Sequence, residues 1–263
     1  ILTRGIDLSV GSVVALAGVV SASFATTSAS AFIPGTPYIA SIAIVIGLAA
    51  GIAMGAISGT AGAKFSVPAF VATLGMLSAA RGLTLIYSGG RPIPALTDGY
   101  RWIGTGDVFG LPVPIILFAL VFLIAHFVLT NTRFGRHVYA VGGNPHAAKV
   151  SGLGVNRIRF MVYVISGALA GLAGMVLAAR TGSALPQAGI AYELDAIAAV
   201  VIGGTSLSGG IGRVSGTVIG ALLIGVMNNG LDLLGVESYY QQVIKGALIV
   251  AAVMLDRSRK SEA

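Results

Sequence analysis

Apolar residues fill long blocks of this chain, and polar ones gather in the gaps between them. Across 8–63 there is no Asp, Glu, Lys, Arg or His, and further uncharged runs cover 108–125, 160–179, 196–212 and 214–231. The hydrocarbon core of a bilayer takes roughly 20 apolar residues per helix, with about 17 as the lower limit. The blocks therefore predict helices near 8–25, 38–60, 67–87, 111–130, 159–179, 193–206, 213–232 and 239–255. All nine prolines (34, 37, 68, 92, 94, 112, 114, 145 and 186) fall at or outside the edges of these blocks. Proline removes a backbone donor that lipid cannot replace, so the segmentation is consistent with membrane spans. The expected fold class is all-α: a polytopic helical membrane protein with about eight segments.

Composition sharpens the picture. The chain is 56% hydrophobic and only 10% charged, with a mean hydropathy of +0.92. A soluble domain carries roughly 25% charge to hydrate its surface. Eight segments would put both termini on one side. That side collects Arg4, Lys64, Arg133, Arg136, Lys149, Arg157, Arg159, Arg213, Arg257, Arg259 and Lys260, eleven of the sixteen basic residues. By the positive-inside rule it is the cytoplasmic side, and the C-terminus is expected there. The net charge of +7 is thus a topology signal and argues against nucleic acid as a partner. The chain has no initiator Met and opens almost inside its first block, so further membrane segments are expected before Ile1.

Glycine makes up 38 of 263 residues. Gly47, Gly51, Gly55 and Gly59 recur every four residues, as do Gly212, Gly216 and Gly220, and Gly167 with Gly171. Such faces let helix backbones meet closely in lipid, either as static packing or as sliding surfaces. No cysteine is present, and the three histidines (His126, His137, His146) have no metal spacing. No metal site and no cofactor are expected. No catalytic His/Asp, Ser/Lys or paired-acid constellation stands at helical spacing, so the chain is not expected to be an enzyme.

Two stretches echo each other: "GIDLSVG" at 5–11 and "GTSLSGG" at 204–210. Each precedes a Gly- and Ala-rich apolar segment, a pattern that fits either an internal repeat or chance likeness at two helix breaks. Transporters often line a site with such interrupted helices. Asp7 either caps the following helix or serves as a gate, with Ser9 beside it. Neutral polar residues near the second stretch and its following helix, namely Thr205, Ser206, Ser208, Asn228 and Asn229, are candidates for a solute pathway; each could equally satisfy a helix end or an interhelical hydrogen bond. "SLSGG" resembles the nucleotide-contacting signature of ABC ATPases. The chain has no G-x-x-x-x-G-K-[ST] loop, so any ATP must be hydrolysed on another subunit. Glu193 and Asp195, two apart on different helix faces, are candidates for capping the next helix or for docking an external partner.

The loop at about 131–157 contains "NPHAAKVSGL". Asn144 is placed to cap a short helix with Pro145 in its first position, and Gly152 to end it. It is either a docking element or a solvated connector. "GIDLSVGS", "GRHVYAVGGNPHAAKVSGLGVN", "YELDAIAAVVIGGTSLSGGIGRVSGTVIGALLIGVMNNGL" and "LLGVESYYQQVIKGALIV" together resemble the membrane permeases of bacterial ABC sugar importers. The branch is that of ribose, xylose and arabinose, with ribose permeases nearest in appearance. The resemblance implies one transmembrane permease domain over 1–263 in the bacterial inner membrane. It further implies a partner ATP-binding subunit, a periplasmic sugar-binding protein and a second permease copy, most simply an identical one. The matching loop assigns coupling to the ATPase to Gly143, Asn144, Pro145, Ala147, Ala148, Ser151 and Gly152. The rival expectation is an ion-coupled secondary transporter, or a passive facilitator, of a small polar solute.

Overall fold

The computed structural model describes residues 1–32 and 38–261. Pro34 and Pro37 lie outside the described residues. Eleven helices and one short hairpin are present among them: α1 (Val10–Ala25), α2 (Ala40–Lys64), α3 (Ala69–Ser88), α4 (Asp98–Thr105), β1 (Asp107–Val108), β2 (Leu111–Pro112), α5 (Val113–Asn131), α6 (Arg133–Gly143), α7 (Pro145–Val150), α8 (Val155–Thr181), α9 (Tyr192–Ile202), α10 (Val214–Leu233) and α11 (Ser238–Ser261). Each of the eight apolar blocks falls on a helix, so the all-α membrane class holds.

Length and composition separate the helices into two groups. Among the described residues α2, α3, α5, α8 and α10 are long and apolar enough to cross a membrane, five of the eight expected segments. α1 has 16 residues and α9 only 11. At 1.5 Å per residue these reach about 24 and 17 Å, short of a hydrocarbon core about 30 Å thick. α11 carries Gln241 and Lys245 among its apolar residues.

The described chain divides into two compact units. The first comprises Ile1–Gly5, Val121–Ile158 and Ala191–Ala263, and the second Ile6–Leu120 and Arg159–Ile190.

In the second unit α1 is enclosed: 13 of its 16 residues are buried, so it is a core helix with no lipid-facing side in this unit. Its glycine and alanine content makes that possible. A Cβ on Gly18 would stand 2.9 Å from Gly174 O of α8. The α2 glycine row does the same against α8. Cβ atoms on Gly51 and Gly55 would collide with the carbonyls of Gly167 and Tyr163, and one on Gly167 with that of Gly51. Backbone meets backbone, as small-residue faces allow in lipid. Arg81, inside α3, has its charge absorbed by backbone: Nη1 donates to Pro186 O (2.5 Å) and Ala188 O (3.0 Å). α3 ends on Gly89, left-handed at φ 60°, whose N–H bonds Ile86 O. The β1–β2 hairpin turns through Phe109 (φ 53°) and Gly110 (φ 79°), the pair of positive φ values a two-residue hairpin turn requires.

In the first unit α9 and α10 pack through a second glycine contact. A Cβ on Gly203 would meet Gly216 O, and one on Gly220 would meet Ala199 O. The 203–213 segment between them is not helical, yet most of its backbone donors are paired. Thr205 N–H bonds Val200 O, Ser206 N–H bonds Ile211 O, and Gly210 N–H bonds Leu2 O (2.9 to 3.0 Å). Irregular backbone among membrane helices needs such pairing, since lipid offers none.

Candidate coupling segment and solute pathway

Asn144 begins the site. Its Oδ1 accepts from His146 N–H and Ala147 N–H, both at 3.0 Å, which is the N-cap the sequence predicted. Pro145 takes the first helical position, where no donor is needed. α7 closes after Val150, with Gly152 left-handed at φ 83° and its N–H on Lys149 O. Gly143, Asn144, Ala147, Ser151 and Gly152 are exposed, Pro145 is half-buried, and Ala148 is buried. Five of the seven predicted positions therefore lie on the outward face, which His146, Lys149 and Val150 share, and Ala148 holds α7 to its own unit.

Upstream, α6 was not predicted as a helix. Thr132 caps it by accepting from Gly135 N–H (3.2 Å), and Gly135, Val138, Val141 and Gly142 are buried. Arg4 clasps its far end: Nε donates to Gly142 O (2.6 Å) and Nη2 to Gly143 O. A guanidinium suits the carbonyl-rich, negative end of a helix. Gly142 has no room for a side chain, because a Cβ there would strike Leu2 O and lie 2.5 Å from Gly210 N. The chain start, the end of α6 and the 206–210 loop thus meet at one point of the first unit.

The two sequence echoes share a local bond at matched positions. In the first, Ser9 N–H donates to Asp7 Oδ1 (3.0 Å), and in the second Ser208 N–H donates to Ser206 Oγ (3.2 Å). Asp7 does not cap α1, whose N-cap residue is Ser9. Its carboxylate instead accepts Ser9 Oγ (2.6 Å) on Oδ1 and Ser166 Oγ of α8 (2.7 Å) on Oδ2. Two hydroxyl donors and one amide hold it, so both oxygens of this partly buried acid are hydrogen-bonded.

Thr205 and Ser206 are buried on the loop after α9, while Ser208 is exposed. Asn228 and Asn229 lie twelve and thirteen residues beyond Gly216 on α10, about 18 Å along it. The five neutral candidates thus fall at two levels of the first unit. Asn228 Oδ1 is buried without a partner.

Glu193 and Asp195 sit in the first turn of α9, where the helix dipole favours acids, although the N-cap residue is Ala191. Asp195 is committed elsewhere: Lys245 Nζ of α11 stands 2.9 Å from its Oδ2. Sequence reading missed this pair. The available signal was one lone cation, Lys245, in the apolar block 239–255 and two acids, Glu193 and Asp195, opening the block 193–206, charges that a membrane tends to bring together. Nearby, Gln241 Nε2 donates to Asp232 Oδ1 (2.7 Å) and Val236 O (2.9 Å).

Tyr139 of α6 donates its hydroxyl to Gly212 O (2.8 Å). Burial raises its pKa above the usual phenol value, and nearby Arg213 partly offsets the rise. The phenol thus remains a donor and fastens α6 to the loop before α10. Among the described residues no cluster of His, Cys, Asp and Glu is grouped to hold a metal ion.

The family model described as "Branched-chain amino acid transport system / permease component" matches residues 1–253. The ribose import permease protein of Escherichia coli (strain K12) is 48% identical over 99% of this chain and 79% of its own length. That of Bacillus subtilis (strain 168) is 47% identical with the same coverage. The D-allose transport system permease protein of Escherichia coli (strain K12) is 43% identical over 98% of this chain and 76% of its own length. No solved structure matches.

Proposed function

The chain belongs to the branched-chain amino acid transport system / permease component family, and from that premise we infer that it is the membrane-spanning permease of an ATP-driven sugar importer. The solute is a monosaccharide, a ribose-like pentose first, and the membrane is the bacterial inner membrane. The observation that carries this reading is the likeness to ribose import permeases along 99% of the chain. ATP is hydrolysed on a separate subunit, and a periplasmic binding protein delivers the sugar. A second permease copy, most simply an identical one, completes the translocation path in the lipid. On this reading 1–263 works as one permease domain whose Arg-rich side and C-terminus face the cytoplasm.

The family description names amino acids, but the chemistry of the candidate pathway favours a sugar. A zwitterion needs partners for a carboxylate and an ammonium. Thr205, Ser206, Ser208, Asn228 and Asn229 offer hydroxyls and amides, which match a polyol. Gly143, Asn144, Pro145, Ala147, Ala148, Ser151 and Gly152 form the coupling segment, five of them as its outward face and Pro145 and Ala148 as its support. Asp7 and Ser9 shape the entry to α1, and Glu193 remains the docking candidate beside the ion-paired Asp195.

The test is uptake of labelled ribose, allose and galactose into proteoliposomes that hold the permease, its ATP-binding subunit and the binding protein. Uptake that requires internal ATP and prefers ribose is expected. Uptake driven by a proton or Na⁺ gradient without ATP would replace this reading with ion-coupled transport, and uptake needing neither would make the protein a facilitator.

A further inference from the structure

A cavity of about 930 Å³ opens in the first unit between the end of α5, α6 and the start of α10. His126, Arg136 and Arg213 line it, with Tyr139 and a run of glycine-rich backbone from 210 to 216. No acid lines it, and neither arginine makes an ion pair among the described residues. The solute proposed above is neutral and gives two arginines nothing to do.

Its position says what the charges face. α5 and α10 are both long and apolar enough to span a membrane. The cavity takes in the last turns of one and the first turns of the other, the level at which a helix leaves hydrocarbon. Its wall continues into bare apolar surface: Leu123 and Phe127 on α5, and Ile219 and Leu222 on α10, are each 58 to 61% exposed. A headgroup phosphate among the arginines would leave its acyl chains along those faces. Basic pockets between membrane helices recognise anionic lipids in this way. The lining also discriminates. A zwitterionic headgroup brings an ammonium that needs an acid, and none is there, whereas a glycerol headgroup asks only for hydroxyl and carbonyl partners.

We propose that this cavity binds the glycerophosphate headgroup of an anionic phospholipid from the surrounding leaflet. The Tyr139–Gly212 hydrogen bond holds the 210–214 backbone in place beneath it. No residue of α7 lines the cavity, and its floor shares the 203–213 loop with Thr205, Ser206 and Ser208 without including their side chains.

The full-length permease, purified in detergent, would be titrated with phosphatidylglycerol and with phosphatidylethanolamine and read by native mass spectrometry. Selective retention of phosphatidylglycerol is expected. Arg136→Gln with Arg213→Gln should weaken it roughly 30-fold, at about one unit of surface-lipid attraction per arginine. Arg91→Gln with Arg180→Gln removes the same charge outside the cavity and should leave retention unchanged. Ser215→Glu keeps both arginines but puts a carboxylate on the cavity wall, and should also expel the lipid; it serves if the double variant fails to fold. Equal retention of the two lipids by the parent protein, undiminished retention in Ser215→Glu, or equal loss in the Arg91/Arg180 variant would each overturn the site. So would displacement of the lipid by millimolar glycerol phosphate or inorganic phosphate, which would make the ligand a soluble phosphate.

Discussion

Lys245 Nζ on α11 stands 2.9 Å from Asp195 Oδ2 on α9, with the two side chains only 20% and 23% exposed. Each neutralises the other where solvation by water is scarce. Removing one partner strands a charge, while removing both does not. Lys245→Met and Asp195→Asn should each lower the melting temperature of the detergent-solubilised protein, and the double variant should recover part of the loss. A double-mutant cycle should return a coupling of roughly 0.5–3 kcal/mol. Additive losses would mean that the pair contributes nothing to holding α11 against α9.

Gly51 tests the α2–α8 seam. A Cβ there strikes Gly167 O, which is backbone and cannot step aside by changing rotamer. Gly51→Ala should cost about 1–3 kcal/mol, the range of overpacked interiors. Gly75 of α3 has nothing within 4 Å of an added Cβ, so Gly75→Ala should be neutral or stabilising, by up to about 1 kcal/mol. Thermal unfolding of the two variants side by side is the measurement, and equal behaviour would refute backbone contact at the seam.

Asn144→Ala removes the acceptor for two amide N–H groups of α7. The local loss should be about 1 kcal/mol, enough to fray a six-residue helix while the rest of the protein stays folded. Uptake should fall while the amount of inserted permease is unchanged, and Asn144→Asp should restore it. Uptake at the parent rate in Asn144→Ala would separate α7 helicity from coupling.

Arg4→Gln withdraws the clasp on Gly142 O and Gly143 O. Charge-assisted bonds of this kind contribute about 1.5–3 kcal/mol. The expected phenotype is uncoupling: ATP hydrolysis by the partner continues while sugar uptake drops. Parallel loss of both activities would instead point to a general folding role for Arg4.

The apolar blocks announced every long helix because helix burial in lipid needs a continuous run. They could not announce α4 and α6. α6 carries Arg133, Arg136 and His137 on its outer side and buries only small or aliphatic residues, so its sequence reads as a basic loop until Thr132 and Arg4 are seen closing its two ends. The Asn144 cap was legible because a cap acts within three residues. The Asp7–Ser166 and Lys245–Asp195 contacts were not, since they join residues 159 and 50 positions apart that carry no local signal of each other. α9 stopped at Ile202, short of the apolar run that continues to 206, because Gly203 and Gly204 end the helix before hydropathy does.

The Gly51–Gly167 and Gly55–Gly167 contacts at the centre of the α2–α8 seam freeze no rotamers. Two helices that meet through leucines must each surrender side-chain freedom, about 0.5–1 kcal/mol per leucine. Glycines have none to surrender, and the backbones that touch here are already ordered by their own helices. The contact is therefore nearly free of conformational entropy and has no graded states: the surfaces are seated or they are apart. A motion within the second unit should carry α2 and α8 together as one stiff piece.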